Sequence, residues 1–341
     1  MLFELDVLPC TRARTSLCGL SKEKLYTMIA SVALALSAMP QATQAGPLRD
    51  AFMQRRAAQG QGQDEMYANE GDREPTNLPA GIRIVRDVAY GNAAPQRFDV
   101  YAPMKAHDAP VILLVHGGAW MFGDKAARSV IENKVSRWVP RGIIVVSIDY
   151  RMLPEAPVLQ QAQDVVRALA FAQQHASSWG GDPRKFILMG HSAGAHLVSL
   201  ISAEPSLARG QGASLWLGTV ALDSAAYDVA RIMQGPHYRF YDRVFGNDPS
   251  AWATASPKQQ LGGRIAPFLA VCSSQRLESC PQARDFVARA DAFGTRTQLL
   301  EVDKTHEEIN KDLGTASDYT EQVEAFLRSL DPALANALDH R

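Results

Sequence analysis

Four apolar runs in the middle of the chain limit what it can fold into more than any other feature. "PVILLVHGG" (110–118), "GIIVVSIDY" (142–150), "KFILMG" (185–190) and "APFLAVCS" (266–273) are mainly apolar, and two of them end in glycine. A strand with one face in water alternates apolar with polar residues, so unbroken runs of this length belong to strands covered on both faces. Between them, Val165, Leu169 and Ala172 recur at helical spacing within 157–175, "AHLVSLISA" (195–203) suits another helix, and "DYTEQVEAFLRSL" (318–330) suits the last one. "LGTVALD" (217–223) and "TQLLEVD" (297–303) supply two further strands. At the front, "IRIVRDVAYG" and "QRFDVYAP" form an antiparallel pair turning at Gly91-Asn92. Strands alternating with helices predict a mostly parallel sheet covered by helices on both faces, with active residues in loops at the carboxyl ends of the strands.

Composition bounds the rest. The chain has 341 residues, a net charge of -1 and 46% hydrophobic residues, as ordinary globular proteins do. No basic stripe with interleaved aromatics is present, so nucleic acid is not an expected partner. Residues 26–39, "YTMIASVALALSAM", are apolar, follow Lys22 and Lys24, and lead into the small residues of "PQATQA". That is the make-up of a secretory signal peptide cleaved after Ala45. The run falls short of the ~20 apolar residues of a spanning helix. Residues 1–45 are therefore expected to be removed, with no stable membrane insertion afterwards and a periplasmic or secreted destination. The residues before Lys22 are an unusual extension, and Met28 is an alternative start that would remove the basic flank. Residues 46–80 are expected to be a flexible leader, and 81–341 a single domain. Cys10 and Cys18 lie in the removed part, and in an exported chain Cys272 and Cys280 are expected to pair.

Chemistry enters with "LMGHSAGAHL" (188–197). Ser192 sits between Gly190 and Gly194 at the junction of a strand and a helix, the G-x-S-x-G arrangement that lifts a hydroxyl clear of a sheet. Outside this context the pentapeptide could be a tight turn with an N-capping serine. "VHGGAW" (115–120) ends an earlier strand, and Gly117 and Gly118 let main-chain amides approach an oxyanion, with the amide of Ala193 as the other donor.

With "HGGAW", "DYRMLPEAP", "QDVVRAL" and "GHSAGAHL" in this order and spacing, the chain over about 85–330 resembles α/β-hydrolases of the hormone-sensitive-lipase and acetyl-esterase kind. It is most similar to the feruloyl-esterase-like (BD-FAE-like) group, which also resembles kynurenine formamidases. The resemblance implies an α/β fold with an eight-stranded, mostly parallel sheet, and hydrolysis of a carboxylic ester or related acyl bond by a serine nucleophile without metal or organic cofactor. The fold's histidine follows the last strand, where "TQLLEVDKTHEEIN" carries His306. His191 and His196 are expected to face the packing around the turn.

The acid departs from the family pattern. The usual aspartate follows the seventh strand, but "VCSSQRLESC" has Arg276 about there. Asp223, ending the preceding strand, is preferred to Glu278, which stays open as the alternative. Asp228 is expected to cap the next segment. Trp120 and Met121 are expected at the substrate pocket. The insertion 229–262, with Tyr238, Phe240, Tyr241, Phe245 and Trp252, is either a lid beside it or a small satellite core. A small or aromatic ester is the expected partner. A kynurenine-formamidase-like amide hydrolase and a non-catalytic binding member of the fold stay open as alternatives.

Overall fold

The computed structural model describes residues 78–339. The expected signal peptide, nearly all of the expected leader, and Cys10 and Cys18 lie outside these residues.

Eight strands form one sheet: β1 (Ile82–Ala89), β2 (Arg97–Pro103), β3 (Ala109–Val115), β4 (Ile144–Ile148), β5 (Gly181–His191), β6 (Gly218–Leu222), β7 (Phe268–Ser273) and β8 (Thr297–Val302). They lie in the order β1-β2-β4-β3-β5-β6-β7-β8. β2 is antiparallel to both β1 and β4, and every pairing from β4 to β8 is parallel. All seven residues of β3 are buried, as its unbroken apolar run requires.

Alternation along the strands sorts the core into two layers. Val111, Leu113 and Val115 pack with α2 (Val158–His175) and α3 (Ala193–Ala203) on one face. Ile112 and Leu114 pack on the other face with α1 (Arg128–Trp138) and with helices near the C-terminus. After α3 come α4 (Pro205–Gly210) and, within the insertion, the short helices α5 (Val229–Gln234), α6 (Arg239–Phe245), α7 (Pro249–Thr254) and α8 (Pro257–Gln260). The chain closes with α9 (Ser279–Ala292), α10 (His306–Lys311), α11 (Asp318–Arg328) and α12 (Pro332–Asp339). No helix among the described residues is long and apolar enough to cross a membrane.

Two helices lack a clear apolar signature, and a third extends the chain beyond the helix expected to be last. The buried stripe of α1 includes Lys134, whose Nζ donates to the main-chain and side-chain oxygens of Asn310 at 2.6 and 3.0 Å. A lysine inside the stripe hides the period. In α9, Pro281 falls in the first turn, where a missing N–H leaves no hydrogen bond unmade. α12 follows the expected last helix and buries Leu334 and Leu338.

Buried charges tie the motifs to the sheet. Asp164 on α2 is fully buried and accepts from the Arg151 guanidinium at 2.7 and 2.8 Å, from the Arg151 amide at 3.1 Å and from Gln96 at 2.8 Å. "DYR" and "QDVVRAL" are thus the two halves of one ion pair. Asp164→Ala removes the shared acceptor of the partly exposed Arg151 and the buried Gln96 and should cost about 1.5–3 kcal/mol of stability. Urea unfolding of the two proteins measures this, and a loss below about 1 kcal/mol would contradict it.

Candidate active site

β5 passes into α3 through Ser192, whose backbone has φ +55° and ψ -116°. A non-glycine residue seldom takes such angles, and it stays there only when its surroundings insist. The insistence is visible on both sides. A Cβ on Gly190 would lie 2.4 Å from the Gly194 carbonyl oxygen, and one on Gly194 would lie 2.1 Å from that of Val115. The Ser192 amide donates to the Leu222 carbonyl at 2.9 Å, and its carbonyl accepts from His196 at 3.0 Å. The result stands the hydroxyl at the amino end of an 11-residue helix, where main-chain N–H groups lack internal partners.

His306 begins α10 and reaches back to this hydroxyl. Its Nε2 lies 2.9 Å from Ser192 Oγ, and its Nδ1 lies 2.5 Å from Asp223 Oδ2. Thr305 and Glu308 form a capping box that sets the entry to that helix. Asp223, itself at φ +55°, follows β6 and is fully buried. Ser273 N donates to its Oδ1 at 2.8 Å, the Ser279 hydroxyl also donates to Oδ1, and Arg276 Nη1 donates to Oδ2 at 2.7 Å. Glu278 is exposed at the residue before α9. Of the two carboxylates considered, Asp223 is the one against His306. Cys272 and Cys280 are joined by a disulfide that closes the loop holding Ser273, Arg276 and Ser279.

The glycine loop packs onto the elbow: a Cβ on Gly117 would lie 2.9 Å from that of Ser192, and Gly118 has φ +115°. The Gly118 carbonyl accepts from the amides of both Met121 and Phe122. That turn puts Phe122, not the expected Met121, on the cleft wall beside Trp120. The loop is braced by groups outside it. Tyr150 donates to the His116 carbonyl at 3.0 Å, and Gln161 donates to that of Trp120 at 3.1 Å. His191 Nε2 donates to the His306 carbonyl at 2.9 Å. The roles of His191, Arg276, Ser273 and Ser279 have no signature in the sequence, since each contact spans tens of residues.

A cleft of about 890 Å³ opens over Ser192. Trp120, Phe122, Phe240 and Tyr241 make one part of its wall, while Arg128, Ser129, Asn133 and Lys311 from α1 and α10 make another. From the insertion, Phe240 and Tyr241 reach this wall, while Phe245 is buried and Trp252 packs against the same core. Asp228 caps α5, as expected, by accepting from the Arg231 amide at 3.2 Å.

Electrostatics follow from burial and partners. Burial opposes charge on Asp223, but Arg276 and His306 more than offset it and hold this carboxyl well below the usual carboxylate range. Burial, aided by the nearby His306, pushes His191 well below the usual histidine value. Burial likewise pushes His196 down to about 4. Neutral His196 accepts from Trp120 Nε1 at 3.2 Å and donates from Nε2 to the Ala255 carbonyl at 2.8 Å. An unfolded histidine takes up its proton near 6.5, so between that pH and about 4 the unfolded chain binds more protons than the folded one. Stability should therefore fall as pH drops through this window, and His196→Gln should flatten part of the slope. Unfolding midpoints in urea across the window test this, and a level wild-type profile would contradict it.

Residues 98–212 match the family BD-FAE. Isoprenylcysteine alpha-carbonyl methylesterase ICME of Arabidopsis thaliana is 27% identical over 67% of this chain and 57% of its own length. Esterase LipC of Mycobacterium tuberculosis is 30% identical over 63% of this chain and 56% of its own. The chain thus spans little more than half the length of these two curated relatives. Esterase B from Lactobacillus rhamnosis superposes with a TM-score of 0.63 at 21% identity, covering 84% of this chain and 95% of that one. The chain has the α/β-hydrolase fold, and its residues 98–212 are similar to the BD-FAE family.

Proposed function

We propose that this protein is a serine hydrolase that cleaves carboxylic esters through an acyl-enzyme intermediate. The observation that carries the reading is the continuous hydrogen-bonded path from Ser192 Oγ through both nitrogens of His306 to Asp223. The esterase names of the sequence relatives favour an ester over other acyl bonds.

In this reading His306 Nε2 takes the hydroxyl proton as Ser192 Oγ attacks the acyl carbon. Asp223 holds the Nδ1–H tautomer and balances the imidazolium charge. The tetrahedral oxyanion is met by main-chain amides of the Gly117–Gly118 loop and Ala193, donors worth roughly 3 kcal/mol each where one has been removed from such a site. The imidazolium then gives its proton to the departing alkoxide. Water enters, loses a proton to His306 and attacks the acyl carbon, and Ser192 leaves with that proton. Protein groups and water carry every step.

Cleft size and lining support a small or aromatic ester. The aromatic wall suits an acyl or aryl group, and the α1–α10 wall suits a more polar partner across the scissile bond. The disulfide and the signal-like run at 26–39 support export to the periplasm or beyond.

Hydrolysis of p-nitrophenyl acetate and butyrate tests the chemistry. Ser192→Ala should lose about 10⁴- to 10⁶-fold in kcat. Asp223→Asn should lose about 10⁴-fold, with Glu278→Gln within about twofold of wild type. Near-zero rates in wild type and Ser192→Ala alike would leave a binding protein instead. For export, protein purified from the periplasm or medium should begin at Gly46, and cytoplasmic protein with an intact Met1 would refute it.

A further inference from the structure

The residue occupying the sequence position of the usual acid is a cation, and it touches the carboxylate that lies against His306. Arg276 sits midway along the loop from β7 to α9, which Cys272 and Cys280 close at both ends. Its Nη1 donates to Asp223 Oδ2 at 2.7 Å and to the Asp223 main-chain carbonyl at 3.1 Å. The same nitrogen lies 2.9 Å from His306 Nδ1. The three atoms form a triangle with the carboxylate oxygen at one corner.

We propose that Arg276 is a positioning residue for the ester hydrolysis proposed above: held in its disulfide-closed loop, it grips Asp223 by side chain and main chain so that Oδ2 faces His306. The inference rests on that reading. Three features carry it. First, Asp223 has a left-handed backbone, and a contact to both its carbonyl and its carboxylate fixes the main chain and the side-chain torsion together. Second, all three groups that hold Asp223 from the β7 side, Ser273 N, Arg276 Nη1 and Ser279 Oγ, come from this one loop. Third, a guanidinium has no acceptor to offer, so it cannot replace the carboxylate as partner for an Nδ1–H.

The third feature sets two effects of opposite sign against each other. If Asp223 turned away, Nδ1 would be left facing Arg276 and would accept its proton, forcing Nε2–H toward Ser192, where no base would remain. While Asp223 stays, Arg276 repels the imidazolium that forms during the reaction. Both cations lie nearer the carboxylate oxygen than each other, at 2.5 and 2.7 Å against 2.9 Å, so the two attractions outweigh the one repulsion. Positioning therefore dominates.

The test is a double-mutant cycle on p-nitrophenyl butyrate hydrolysis with wild type, R276A, D223N and D223N/R276A, with thermal melts to confirm folding. R276A should lose about 10- to 100-fold in kcat, the usual cost of removing a group that orients a reacting one, with KM little changed. In the D223N background the same substitution should cost under about twofold, because Arg276 acts through Asp223. Arg276→Lys should recover part of the lost kcat, and added guanidinium ion should partly restore R276A, since the side chain is partly exposed at the cleft. If R276A does not fold, Arg276→Gln and Arg276→Lys carry the same comparison. A kcat for R276A at or above wild type would show that repulsion governs, and an equal loss in the D223N background would show a merely structural role. Either result overturns the inference while the esterase reading stands. An inactive wild type overturns the esterase reading, and this inference with it.

Discussion

The backbone of Ser192, turned to φ +55° between β5 and α3, is the constraint on which the candidate active site depends. Such a conformation costs of order 1–3 kcal/mol for a residue with a side chain. It persists because the alternatives are closed. Gly190 and Gly194 allow the helix to start almost against the strand, and Val115 of the neighbouring strand leaves no room for a Cβ on Gly194. The sharp turn aims the hydroxyl away from the sheet and places the Ala193 amide beside it. Relaxing that turn would move the hydroxyl and the amide together.

The second constraint is charge in a dry place. A buried carboxylate is costly unless its oxygens are occupied, and Asp223 is met at both. Its Oδ1 takes Ser273 N and Ser279 Oγ, and its Oδ2 takes His306 and Arg276. The strand ends make this geometry natural. Ser192 bonds to the end of β6, and Asp223 bonds to Val271 of β7 at 2.8 Å, so successive parallel strands carry the hydroxyl and the carboxylate side by side. His306, entering from beyond β8, closes the path over the top.

Around this path sits a layer of polar braces that explains why the motifs travel together. Tyr150 and Gln161 hold the glycine loop, Arg151 and Asp164 lock the "DYR" turn to α2, and His196 ties Trp120 to the insertion through Ala255. The sequence motifs are thus tied together by hydrogen bonds, with "HGGAW" and "GHSAGAHL" lining the cleft and the "DYR" turn and α2 bracing them from behind. Neutral, buried His196 makes that tie sensitive to acid.

The sheet was legible because burial on both faces leaves a one-dimensional mark. β3, β4, β6 and β7 are buried along their whole length and lie within apolar runs, while the antiparallel pair β1–β2 follows from its connecting turn. Ser192 and the glycine loop were legible for a related reason, since a strained turn and a close backbone approach demand glycine at fixed offsets. α1 was not legible, because Lys134 is buried by a bond to Asn310, far along the chain. Met121 was misread because the turn at Gly118 depends on main-chain bonds that residue identity does not reveal. The choice between Asp223 and Glu278 shows the dividing line. Local sequence determined which residue types were on hand at the strand ends. Only the packing of β6, β7 and α10 decided which carboxylate meets the imidazole, and that Arg276 stands beside it. Those contacts span 30 to 83 residues, and no local pattern encodes a distance that long-range packing alone creates.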